Sequence, residues 1–123
     1  LSTAKELIQA IGIKLGAYLK VTACNFCEVD EARDEVIYLG RWTVDDAPPL
    51  PDHLRLSEQV SEAFYHQVRA GEIVVSNNTQ TNSVTKAQAN AAIGVRSFIT
   101  VPFHQDGYWK YLFSVHDRVP RTW

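Results

Sequence analysis

Asp106-Gly107 stands between two runs rich in β-branched and aromatic residues, Ser97 to Gln105 and Tyr108 to His116. An Asp-Gly pair in that setting is a strong hairpin signal, because both central residues of a tight two-residue turn need positive φ. A long antiparallel hairpin is therefore expected. With a two-residue loop, Gln105 sits opposite Tyr108, and the register pairs Phe103 with Lys110, Val101 with Leu112, Ile99 with Ser114 and Ser97 with His116. Those residues share one face. Phe98, Thr100, Pro102 and His104 then face the other way together with Trp109, Tyr111, Phe113 and Val115. This second face is the more aromatic and calls for a covering layer of helices.

The rest of the chain supplies helices and further strands. Glu6 follows Thr3 at capping-box spacing, with Ser2 and Thr3 as candidate N-caps, and Leu7, Ile8, Ile11, Leu15, Tyr18 and Leu19 recur at helical period. A helix over about 3–18 is expected. Its Gly12 and Gly16 are tolerable if it packs closely on a neighbouring element. Strand formers then run from Val21 to Val29 and from Val36 to Trp42 around the polar turn Asp30 to Asp34, which reads as a second hairpin. Pro48, Pro49 and Pro51 impose an extended connection crossing the sheet. Ser57 reads as the cap of a helix with Val60, Ala63, Phe64 and Val68 at helical spacing, stopped by Gly71. Ile73-Val74-Val75 is a short strand, and Thr85 to Ala92 a short helix stopped by Gly94. The order is helix, two strands, helix, strand, helix, two strands: α+β, with a mainly antiparallel sheet of about five to six strands.

At 123 residues the chain is one domain with room for a core. A net charge of −2 provides no basic field, so neither nucleic acid nor an anionic membrane surface is an expected partner. No apolar run approaches the roughly 20 residues of a membrane span, and a cytoplasmic setting is expected. The chain has no Met and starts at Leu1 on a first helical turn, so it is expected to be a piece of a longer protein.

Catalytic and metal chemistry find no constellation. Cys24 and Cys27 have C-x-x-C spacing, but they lie in a strand, where positions three apart point to opposite faces. A redox pair would open a helix, and the nearest further His, His53, is too distant for a zinc site. Both read as half-buried strand thiols. Asp45 and Asp46 are too few for a cation site. His66 falls on the polar side of its helix, and His53 and His104 lie in a loop and beside a turn. His116 stands out because it ends the last strand on a face with Leu112 and Ser114.

The order of elements and the wording of the last hairpin resemble the GAF domain family, which is PAS-related, over nearly the whole chain. Gly94-Val95-Arg96-Ser97, Asp106-Gly107-Tyr108-Trp109, Ser114-Val115-His116 and Pro120-Arg121 are similar to the final hairpin of bacterial sensor-kinase and phytochrome-like GAF domains. Lys20-Val21 through Phe26 is similar to the first strand of that fold, and Gly71 to Val75 to its short strand. The resemblance implies a single domain over 1–123, with helices on one face of the sheet and crossing loops on the other. It also implies a C-terminal helix beside the first one, which this chain is expected to lack, leaving Ile8, Ile11 and Leu15 for self-association as a homodimer.

Two functional readings follow. In the first, this is a sensory module of a bacterial two-component histidine kinase. It would hold a small molecule with Cys24, Phe26, Leu112, Ser114 and His116 as lining, His116 being the polar contact. In the second it is a ligand-free dimerising spacer. Photosensory GAF domains attach a bilin through a Cys beside a His before the Gly-Val-Arg segment. Here Val84-Thr85-Lys86-Ala87-Gln88 carries neither, so a covalent bilin at that position is excluded. The cyclic-nucleotide signature is absent, no His is placed to bind haem, and the cofactor is left unnamed. GAF-fold reductases of free methionine sulfoxide use loop cysteines, unlike Cys24 and Cys27, and a non-catalytic domain is expected.

Overall fold

The computed structural model describes residues 4–44, 46, 53–82 and 85–123. Helix α1 (Ala4–Leu19) leads into strands β1 (Ala23–Asp30), β2 (Glu35–Thr43) and β3 (His53–Arg55). Helices α2 (Leu56–Gln59) and α3 (Glu62–Arg69) follow, then β4 (Val74–Ser76), α4 (Ala87–Ala92), β5 (Ser97–Gln105) and β6 (Tyr108–Asp117). The six strands form one sheet in the order β3-β2-β1-β6-β5-β4, with every neighbouring pair antiparallel. The fold class is α+β, as expected. The Ser2 and Thr3 caps, Asp45 and the proline run lie outside the described residues.

Two packed layers sandwich the sheet. On one face Leu15 and Leu19 of α1 meet Val21, Cys24, Trp42 and Val115. On the other, Leu56, Phe64 and Val68 meet Cys27, Val29, Val36, Phe98 and Leu112, and this is the larger core. The close fit of α1 depends on its glycines. A Cβ on Gly16 would lie 2.1 Å from the Trp42 ring and one on Gly12 2.5 Å from the Trp42 Cβ, so only glycine permits this approach. The helix is consequently rotated from its apolar stripe. Ile8, Leu15 and Leu19 are half-buried, whereas Leu7, Ile11 and Tyr18 remain exposed.

The hairpin forms where Asp106-Gly107 predicts, with φ of 53° and 81°. The register differs from the expected one. Gln105 pairs with Tyr108 and His104 with Trp109, but Phe103 pairs with Tyr111, leaving Lys110 as an extra residue. From there on, Val101 pairs with Phe113, Ile99 with Val115 and Ser97 with Asp117. The bulge has a packing reason. Trp109 and Leu112, three apart, are both buried in the larger core, and strict alternation cannot put them on one face. Leu112, Ser114 and His116 therefore pair with Pro102, Thr100 and Phe98. They do not share a face with Ile99 and Val101.

The helix expected from Ser57 onward is two helices. Val60 between them is extended and bridges Thr85. Ser61, not Ser57, caps the second helix, accepting a hydrogen bond from the Phe64 N–H at 3.0 Å. Ser57 instead donates its N–H and hydroxyl to the carboxylate of Asp34, at 2.8 and 2.5 Å. The turn between β1 and β2 thus caps α2 from outside. These hydrogen bonds hold the Asp34 carboxyl below its ordinary range. At the far end of α3, Gly71 has φ +81°, and the N–H groups of Gly71 and Glu72 bond the carbonyls of Val68 and Gln67 in a Schellman stop.

Candidate functional site

A cavity of about 100 Å³ lies between the centre of the sheet and the three short helices. The sheet supplies its floor. Asn25 of β1 pairs with Ser114 of β6, which pairs with Thr100 of β5, so three polar side chains stand in a row across three strands. His116 lies one pleat further along β6, between Ala23 and Phe98. Cys27, Tyr38 and Leu112 complete the floor, and Leu56, Phe64, Asn90 and Ile93 form walls. Gln59, Val60 and Ser61 contribute from the break between α2 and α3, where the bridge from Val60 to Thr85 spans the rim.

Two of the polar side chains on the floor have buried atoms without a hydrogen-bond partner. His116 is 6% exposed and neither ring nitrogen has a hydrogen-bond partner. Asn25 is 3% exposed and its Oδ1 is likewise unpartnered. Buried polar atoms in folded proteins are nearly always satisfied, so two such side chains lining one cavity are unusual. Burial drives the His116 pKa down to about 4, with the charge of Asp117 opposing the change and that of Arg41 adding to it. At neutral pH the ring is uncharged, with one N–H donor and one bare nitrogen. Among the described residues lining the cavity there is no Asp, Glu, Lys or Arg.

Of the five residues singled out in the sequence, Leu112, Ser114 and His116 line this cavity, and Cys24 and Phe26 do not. Cys24 lies under α1 beside Trp42, and Phe26 stacks on Tyr111 with ring centroids 5.6 Å apart. In β1 the cavity face belongs to Asn25 and Cys27, because β1 pairs with β6 as Cys27 to Leu112 and Asn25 to Ser114. No turn links these strands, so their relative register has no local signature in the sequence. A polar Asn25 between the apolar Cys24 and Phe26 was the one available signal.

Chemistry other than binding has little to work with here. Both thiols are free and buried, and burial pushes Cys24 up to about 11 and Cys27 up to about 12. Neither carries much thiolate at neutral pH. Among the described residues no cluster of His, Cys, Asp or Glu could hold a metal ion, and no helix is long and apolar enough to cross a membrane. His53, His66 and His104 are exposed. A second, larger concavity of about 710 Å³ lies by the hairpin tips, lined by the charged side chains of Asp30, Glu31, Asp106 and Lys110. There Glu31 already faces Arg69, at 3.9 Å.

A six-stranded antiparallel sheet of this order, with one helix behind it and a cavity under short helices in front, defines the GAF fold. No family model matches the sequence, and no curated protein sequence matches it. Solved structures do. The blue-light-absorbing form of the PixJ GAF domain of Thermosynechococcus elongatus superposes with a TM-score of 0.73 at 16% identity, over 97% of this chain and 72% of that one. The phycocyanobilin-bound GAF domain of a cyanobacterial phytochrome gives 0.78 at 12% identity, over 98% and 74%. The free methionine-R-sulfoxide reductase of Neisseria meningitidis, in complex with its substrate, gives 0.68 at 15%, over 94% and 64%. The likeness is one of fold.

Proposed function

We propose that this chain is a sensory GAF domain that binds a small ligand in the cavity, within a bacterial two-component signalling protein of the histidine kinase type. One observation carries the reading: Asn25 and His116, both lining the cavity, hold buried atoms without a hydrogen-bond partner, and no described lining residue is charged. Each such atom costs about 1–3 kcal/mol until something pairs with it, and a ligand can do so. The kinase context rests on the similarity of the Gly94 to Arg121 wording to sensor-kinase domains. Leu112, Ser114 and His116 are the contacts from β6, joined by Asn25; Cys24 and Phe26 have no part in it. The buried, high-pKa thiols favour a domain that is not itself a catalyst, in contrast to the neighbouring reductase.

The test is a thermal-shift screen against small metabolites, with visible spectra recorded in the presence of biliverdin and haem. A ligand at 100-fold its Kd adds about 2.7 kcal/mol, a rise of the order of 10 °C for a domain of this size. The spectra are expected to stay featureless, since about 100 Å³ is far too little for a tetrapyrrole. A complete absence of shifts would favour the second reading, a ligand-free dimerising spacer. That reading draws on the exposed apolar residues of α1: Leu7 is 56% exposed, Ile11 42% and Tyr18 85%. Self-association is accordingly assigned to Leu7, Ile11 and Tyr18, with Ile8 and Leu15 turned toward the sheet. Sedimentation of Ile11→Asp is expected to show a monomer where the parent dimerises; a parent that stays monomeric at high concentration would remove the spacer reading.

A further inference from the structure

The helices that close the cavity are anchored from two different places. Helix α2 is held by the turn between β1 and β2. The Asp34 carboxylate accepts from the Ser57 N–H at 2.8 Å and the Ser57 hydroxyl at 2.5 Å, and the Leu56 N–H donates to the Asp34 carbonyl at 3.0 Å. Helix α4 is held by the loop after β4. There Gln80 Nε2 donates to the Ala87 carbonyl at 3.0 Å, and the Thr85 hydroxyl donates to the Thr79 carbonyl at 2.6 Å. The two pieces are joined across the rim by the bridge between Val60 and Thr85 and by Lys86, whose Nζ donates to the Ser57 carbonyl.

This seam differs from the other boundaries of the cavity. The floor belongs to a continuously paired six-stranded sheet, and α3 is fixed in the larger core through Phe64 and Val68. Along the seam Gln59, Val60, Ser61 and Thr85 line the cavity and are only half-buried, and three of the four are polar. Parting α2 from α4 there exposes little apolar surface, which is the property of segments that open locally. We infer that the cavity is entered through a gate at this seam, with Lys86 as its latch. When Lys86 releases the Ser57 carbonyl, α2 and α4 separate along Val60 and Thr85 while the sheet and α3 stay in place. The gate rests on the ligand-binding reading for its purpose.

The chain carries its own reporters of opening. Cys27 lines the cavity and Cys24 lies under α1 on the other face of the sheet, both buried and both free. Burial pushes Cys27 up to about 12, so it carries little reactive thiolate while the gate is shut. The experiment follows labelling by methyl methanethiosulfonate at pH 8 in two single-thiol variants, Cys24→Ser, which keeps Cys27, and Cys27→Ser, which keeps Cys24. Cys27 is expected to react at least tenfold faster than Cys24. Adding Lys86→Met should speed Cys27 about tenfold and leave Cys24 unchanged. A disulfide joining Val60→Cys to Thr85→Cys should slow Cys27 at least tenfold; residues opposite each other in an antiparallel bridge have Cα atoms about 4.5–5.5 Å apart, within disulfide range. The crosslinked form decides the matter even if Lys86→Met fails to fold. Equal rates for the two thiols, rising together in urea, would mean that only global unfolding reaches the cavity and would overturn the gate. A fast Cys27 that ignores the crosslink would overturn the seam as the place of entry, and one that ignores Lys86→Met would overturn the latch. No ligand enters these measurements, so a metabolite screen without hits and a gate that fails are separate results.

Discussion

His116 carries a liability that pH exposes. Its pKa is about 4 in the fold against 6.5 for a free imidazole. Between those values the unfolded chain binds a proton that the native state refuses, so the unfolded state binds more protons and stability rises with pH. Full stability is reached above about 6.5, and about 3 kcal/mol is lost on descending toward pH 4. Urea midpoints for wild type and His116→Leu measured across that range should diverge as pH falls. The variant should also be more stable at pH 7, by about 1–3 kcal/mol, because two orphaned nitrogens leave the core. A variant that tracked the wild type at every pH would show the ring to be hydrated. The residue was conspicuous in the sequence as a histidine following Val115 at the end of the last run of strand formers. Asn25 offered a weaker signal, because the surface it shares with His116 arises from pairing between β1 and β6, strands some 80 residues apart in the chain.

Elements were legible where a local signal dictates them. The final hairpin follows from Asp106-Gly107, and the stop of α3 from Gly71. The bulge at Lys110 was hidden, because it answers the demand of Trp109 and Leu112 for one core, a tertiary fact. The three-residue β3 is too short to alternate, and the break at Val60 sits within an uninterrupted helical spacing. Helix α1 was clear in extent and misleading in orientation: hydrophobic period picks out Leu7 and Ile11, whereas closest approach belongs to Gly12 and Gly16. Gly16→Ala should therefore destabilise the domain despite a gain in helix propensity of about 1 kcal/mol. Overpacking against the Trp42 ring costs about 1–3 kcal/mol. A denaturant midpoint unchanged or raised in Gly16→Ala would mean that α1 stands further from the sheet.

Across the whole molecule, stability should be graded from the middle of the sheet outward. β1 and β6 are flanked by strands on both sides and covered on both faces, while β3 and β4 are three-residue edges. Hydrogen exchange should find β1 and β6 opening only with global unfolding, and β3, α2 and α4 opening locally. A ligand in the cavity should protect α2 and α4 first; protection confined to α1 would place the binding surface on the opposite side. The sheet is also a partition one residue thick. Val115 and His116 are consecutive, one facing α1 and the other the cavity. An occupant that forces His116 back drives Val115 forward into a layer where a single added carbon on Gly16 would come within 2.1 Å of Trp42. A change at the cavity floor therefore bears on the layer in which Val115 packs with Leu15, Leu19 and Trp42.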